Sequence, residues 1–153
     1  MTPALKAPFA GTLIPLEEVA DPVFSQGLVG PGFALKPRDG EDVDVFSPIA
    51  GKVAKIHPHA FVVSDGMINV LVHLGLDTVT LKGEGFTLFA EQGDSVDAGQ
   101  LLIRWSPRAV RAAGMDTTCP IVFLDSTGNV ETLIDLQTDV EAGDVVARLS
   151  PTN

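Results

Sequence analysis

The sequence predicts an all-β protein, an antiparallel β-sandwich or barrel-like domain with a duplicated β motif and one or two short helical turns. Short runs of Val, Ile, Leu and Phe are broken every few residues by Gly, Pro and Asp, the pattern of strands joined by tight turns. Fifteen glycines and eleven prolines leave little room for long helices, which both residues interrupt. Two stretches also recur. Ala7-Pro8-Phe9-Ala10-Gly11-Thr12-Leu13 returns as Ser47-Pro48-Ile49-Ala50-Gly51-Lys52-Val53, with Pro8 and Pro48 40 residues apart. Gly93-Asp94-Ser95-Val96-Asp97-Ala98-Gly99-Gln100-Leu101-Leu102 returns as Thr138-Asp139-Val140-Glu141-Ala142-Gly143-Asp144-Val145-Val146, with Gly99 and Gly143 44 residues apart. Each unit pairs a turn with a strand, and two loose copies suit a closed β domain better than a solenoid. No linker or shift in composition divides the chain, so 1–153 is expected to be a single domain with its core from about 7 to 149.

Along the chain, Pro15 to Ala20 is the first expected helical turn. His57-Pro58-His59-Ala60-Phe61 follows, where two imidazoles flank a proline. Ile68-Asn69-Val70-Leu71-Val72 is an apolar strand that runs into His73 and then Gly75. In strict alternation His73 shares a face with Leu71, opposite Val70 and Val72. Lys82-Gly83-Glu84-Gly85 lacks the spacing of a phosphate-binding loop and predicts a tight turn. Pro107 to Gly114 is the second helical turn, with proline at its first position and glycine as its cap. Thr118-Cys119-Pro120-Ile121-Val122 starts a buried strand, which makes the single cysteine structural.

Composition narrows the function. Hydrophobic residues are 45% and charged residues 20%, as in a compact globule. A net charge of −10 argues against nucleic acid, which is held by basic patches, and suits a partner with a basic surface. One cysteine allows no internal disulfide. No apolar run approaches the roughly 20 residues of a membrane span. Met1-Thr2-Pro3-Ala4-Leu5-Lys6 lacks the apolar region of a signal peptide, so a cytoplasmic location without membrane insertion is expected.

All three histidines fall between 57 and 73. A lone histidine in an apolar strand is commonly a satisfied core residue. His73, however, precedes a glycine that lets another molecule approach, and a neutral imidazole nitrogen is a good nucleophile towards phosphorus once its other nitrogen is held by an acceptor. Asp77 or a backbone carbonyl would serve as that acceptor, and the sequence does not choose. His57 and His59, pointing to one face of an extended backbone, would permit a zinc site with His73; alternatively one is a turn residue and the other a hydrogen-bonding partner.

The chain resembles the glucose-type enzyme IIA of the bacterial phosphoenolpyruvate:sugar phosphotransferase system from about Ala7 to Leu149. The resemblance rests on Ala7-Pro8-Phe9-Ala10-Gly11, Asp21-Pro22-Val23-Phe24, Leu28-Val29-Gly30-Pro31-Gly32, His59-Ala60-Phe61, His73-Leu74-Gly75-Leu76-Asp77-Thr78-Val79 and Leu81-Lys82-Gly83-Glu84-Gly85-Phe86. It implies an antiparallel β-sandwich and a phosphotransferase component. By the resemblance, His73 carries phosphate on Nε2, accepts it from the phosphocarrier protein HPr and passes it to a cysteine on the IIB domain of a sugar permease of the glucose, N-acetylglucosamine or β-glucoside class. His59 stabilises the phosphoryl group in transit, with His57, Gly75, Asp77 and Thr78 in support. Val23, Phe24, Phe61, Leu71 and Val79 match the partner-docking face, with Asp21 and Asp77 at its margin. No cofactor is implied and no resident metal, only an incidental zinc at His59 and His73. Many members carry threonine where this chain has His57, and Phe61 to Val72 is about one residue shorter than in enteric relatives. The longer N-terminal extension of some enteric members, which can meet membranes, is not expected here.

Two alternatives stand beside this reading. A lysostaphin-type zinc hydrolase would use His57, His59 and His73, but its H-x-x-x-D and H-x-H motifs occur here in reverse order. A regulatory protein whose binding partners follow its phosphorylation state is the other. A biotin- or lipoyl-type carrier is disfavoured because Lys82 lacks the hairpin-tip context.

Overall fold

The structure, a computed structural model, describes residues 4–38, 42–124, 126 and 128–150; the ends of the expected domain, 1–3 and 151–153, lie outside these. Among the described residues fourteen strands follow in order: β1 Ala4–Lys6, β2 Gly11–Pro15, β3 Gly32–Pro37, β4 Val43–Phe46, β5 Gly51–His57, β6 Ala60–Ser64, β7 Asn69–His73, β8 Phe86–Leu88, β9 Ser95–Val96, β10 Leu101–Trp105, β11 Cys119–Phe123, β12 Asn129–Thr132, β13 Asp139–Val140 and β14 Val145–Ser150. They form an eight-stranded sheet in the order β13-β2-β3-β11-β7-β6-β5-β9 and two three-stranded sheets, β1-β14-β12 and β4-β10-β8. Every pairing is antiparallel. The predicted all-β class holds.

Because side chains alternate along a strand, neighbouring residues of the large sheet feed different cores. Leu13 of β2, Phe33 and Leu35 of β3, and Ile121 and Phe123 of β11 join the main cluster. Leu5 of β1, Val45 of β4, Ile103 and Trp105 of β10 and Val146 of β14 complete it, so the small sheets close over one face of the large one. The intervening residues Ile14, Ala34 and Val122 form a second cluster with Leu16, Val19, Phe24 and Leu76. That second face carries the histidine site.

The sequence repeats are structural equivalents. Phe46 donates its N–H to Pro8 O at 2.8 Å, and Lys6 donates to Pro48 O at 3.0 Å. Ala7 N–H reaches Asp144 O and Ser47 N–H reaches Gln100 O, both at 2.8 Å. Gly11 opposes Val140 as Gly51 opposes Val96. The large sheet is therefore two copies of a four-strand unit meeting at β7 and β11, where Val72 opposes Ile121.

The helical expectations are met with adjustments. Pro15 to Ala20 contains a 3₁₀ turn, Leu16–Glu18. A four-residue helix α1, Pro22–Ser25, comes next; Asp21 Oδ1 accepts the Val23 N–H at 2.9 Å and Pro22 takes the first position. The Asp-Pro pair was the available signal for it. Helix α2 spans Pro107–Ala112, with Ser106 Oγ accepting the Ala109 N–H. It ends in a Schellman arrangement: Gly114 N–H donates to Arg111 O and Met115 N–H to Val110 O, with Gly114 at φ 83°. Lys82 to Gly85 is the expected turn, and Cys119 lies fully buried in β11.

Candidate functional site

The register of β6 on β7 makes the site. Ala60 opposes His73, so His59 arrives beside the end of β7 and its carbonyl accepts the Leu74 N–H at 2.7 Å. Val70 and Val72 are fully buried, whereas Asn69, Leu71 and His73 are half-buried on the opposite face, as alternation requires. The His73 and His59 rings meet edge to face with centroids 5.3 Å apart. Phe24 of α1 brings its ring to 5.4 Å from that of His73.

Beyond His73 a set of hydrogen bonds holds the turn. His73 Nδ1 lies 2.6 Å from Gly75 O. A carbonyl only accepts, so Nδ1 carries the proton and Nε2 keeps its lone pair. The acceptor is thus the backbone carbonyl and not Asp77, which is exposed and sits at φ 62°. Gly75 itself has φ 80°. The buried Thr78 donates its hydroxyl to Leu74 O at 2.7 Å, and Leu76 N–H donates to Asp116 O at 2.9 Å. Asp116 was missed from the sequence. Its carboxylate accepts the Thr118 N–H at 2.8 Å, so a turn 40 residues along the chain from Leu76 braces the histidine loop. The one local signal was an Asp followed two residues later by a polar residue, as in an Asx turn.

Electrostatics favour neutral rings. Burial pushes the His73 imidazole below its ordinary value, against the raising effects of the Gly75 carbonyl, Asp21 and Asp77. Burial, then the neighbouring His73 and His57, lowers His59 as well. His57 is exposed at the end of β5, and its ring stacks on that of His59 at 5.8 Å and 19°. Pro58 and His59 form a turn, so the extended backbone expected there is corrected, although the two rings do share a side. Among the described residues no three His, Cys, Asp or Glu side chains are arranged to hold a metal ion, and the zinc-hydrolase alternative is not favoured.

The expected docking residues divide. Val23 is 46% and Val79 59% exposed, while Leu71 is half-buried and Phe24 is 8% exposed. Phe61 corrects the expectation: it is 1% exposed, because alternation along β6 turns it with Val63 into the main core. Asp21, Asp77 and Asp116 line one open groove together with Leu76 and Met115.

Residues 3–129 match the family model of the phosphoenolpyruvate-dependent sugar phosphotransferase system, EIIA 1. The chain belongs to that family. EIIA components carry phosphoryl groups in the sugar phosphotransferase system, so the chain is a phosphotransferase component. It is 39% identical over 142 residues to the glucose-specific EIIA component of Oceanobacillus iheyensis, covering 90% of this chain and 84% of that protein. It is 45% identical over 116 residues to the glucose-specific EIICBA component of Streptococcus pneumoniae, covering 74% of this chain but 16% of the longer streptococcal protein. Among solved structures, glucose permease IIA from Mycoplasma capricolum superposes with a TM-score of 0.87 at 35% identity, covering 97% of this chain and 96% of that one. Among the described residues no helix of this EIIA-family chain is long and apolar enough to cross a membrane.

Proposed function

We propose that the chain accepts a phosphoryl group from HPr on His73 Nε2 and passes it to the cysteine of a IIB domain serving a permease for a glucose-class sugar. The observation that carries this is the pairing of Nδ1–H with the Gly75 carbonyl, which puts the ring proton on Nδ1 and leaves the Nε2 lone pair available, while burial keeps the ring neutral. In loading, a P–N bond forms at Nε2 as the P–N bond to the donor histidine breaks. In the second step a P–S bond forms to the acceptor thiolate and the His73 ring leaves neutral. Phosphoryl transfer places charge on three equatorial oxygens, so donors and alignment do the work. The His59 ring, 5.3 Å away, supplies an N–H to those oxygens. Exposed Val23 and Val79 offer apolar contact to a protein partner, and Asp21 and Asp77 meet basic residues on it, which favours encounter and orientation. Fusion of similar domains to IIB and IIC segments, as in the streptococcal relative, supports IIB as the acceptor.

The test is labelling with phosphorylated HPr. His73→Gln is expected to take up no label; undiminished labelling would overturn the assignment. His59→Gln is expected to load but to transfer poorly to IIB, and normal onward transfer would remove His59 from the mechanism.

A further inference from the structure

The outermost histidine has no part in the transfer as described. His57 is exposed and sits beyond His59 from the reacting nitrogen. Yet its ring lies nearly parallel to that of His59, 19° between planes and 5.8 Å between centroids. The aim of the His59 ring matters, since its N–H must point at oxygens that His73 brings in. Among the described residues no side-chain hydrogen bond orients that ring; its ring contacts are with His73, edge to face, and with His57, stacked. The χ2 torsion of histidine is broad and two-fold, so a ring without a hydrogen-bond partner takes its orientation from packing. His57 is itself well placed to provide this. It ends β5, where it pairs with Ala60 across the hairpin, and the turn at Gly83 approaches the intervening Pro58 so closely that a Cβ there would stand 3.3 Å from Pro58 Cγ.

We propose that His57 is a positioning residue, whose stack on His59 holds that ring in the plane from which its N–H meets the phosphoryl group on His73. This rests on the assignment of His73 and His59 above. The stack acts through orientation and not through contact with phosphate, so a planar ring without a titrating nitrogen serves in its place.

Three variants of the full chain test this: His57→Gln, which removes the ring; His57→Phe, which keeps a planar one; and His57→Gln combined with His59→Gln. Each is loaded from phosphorylated HPr, and single-turnover transfer to IIB is timed. Nitrogen-15 spectra report the tautomer and mobility of the His59 ring. His57→Gln is expected to load on His73, to transfer about three- to tenfold more slowly, and to show an averaged His59 ring. His57→Phe is expected to restore both the rate and a single ring state. In the double variant, transfer is expected to be no slower than in His59→Gln alone. A His57→Gln protein that transfers at the wild-type rate would overturn the proposal. So would failure of phenylalanine to rescue, or an equal slowing in the His59→Gln background. Failure of the underlying assignment would look different: label would appear on a His73→Gln protein whatever the residue at 57.

Discussion

At Gly75 one residue settles the chemistry of another. Its φ of 80° turns the carbonyl back onto His73 Nδ1, and a Cβ there would stand 2.7 Å from Thr78 Cγ2 and 2.9 Å from Asp116 O. Gly75→Ala is therefore expected to lower stability by about 1–3 kcal/mol in urea unfolding. The displaced carbonyl would also slow phosphorylation by HPr about tenfold or more. The lowered pKa values of His73 and His59 give a second expectation. Unfolded histidine takes up a proton near 6.5, whereas the folded rings do so only at lower pH. As pH falls through and below 6.5 the unfolded state binds more protons, so the stabilisation present above 6.5 is progressively lost. The urea midpoint should drop between about pH 7.5 and 5.5. The drop should be smaller in His73→Gln; an equal drop would mean the ring does not contribute.

At the scale of elements, the two short helices show how local signals divide. Both ends of α2 were legible, with proline at the start and glycine past the end, because capping chemistry is local. Ser106 satisfies an N–H that the helix start leaves unpaired. Ser106→Ala should cost about 1 kcal/mol in thermal or urea unfolding while the protein still accepts phosphate in the HPr labelling assay. Helix α1, four residues long, gives no periodicity in the sequence; only Asp21 and Pro22 mark it. It matters nonetheless, since it places Phe24 against His73 and Asp21 beside the groove. The β6–β7 hairpin similarly converts a sequence interval into a contact. Its register alone puts His59 next to His73, and a slip of one residue would turn His73 towards the core.

In the whole molecule the repeat carries a mechanical prediction. A Cβ on Gly11 would lie 2.3 Å from Lys36 O, and one on Gly51 2.3 Å from Ser64 O, the same approach to a neighbouring strand in each half. Gly11→Ala and Gly51→Ala should each destabilise by about 1–3 kcal/mol, by similar amounts, and the double variant should show the sum. Urea titrations of the three proteins check this, and a marked inequality would show that the halves do not bear equivalent strain. The two halves differ in their histidines: only one ends its central strand in a histidine, His73, with His57 and His59 on the hairpin before it.

Local residue patterns suffice for the β class, the duplicated unit, the turn at 82 to 85, the ends of α2 and the concentration of imidazoles before a glycine. These depend on side-chain alternation, glycine and proline conformations and chemical type, all of which act within a few residues. Long-range packing sets the rest: Gly75 and not Asp77 holds His73, Asp116 braces the loop, Phe61 belongs to the core, and His57 stacks on His59. Alternation says which residues share a face, but which face is covered depends on strands far away in the chain. Phe61 is buried because β4, β10 and β14 close over its side of the sheet, and His73 stays reachable because they do not cover the other.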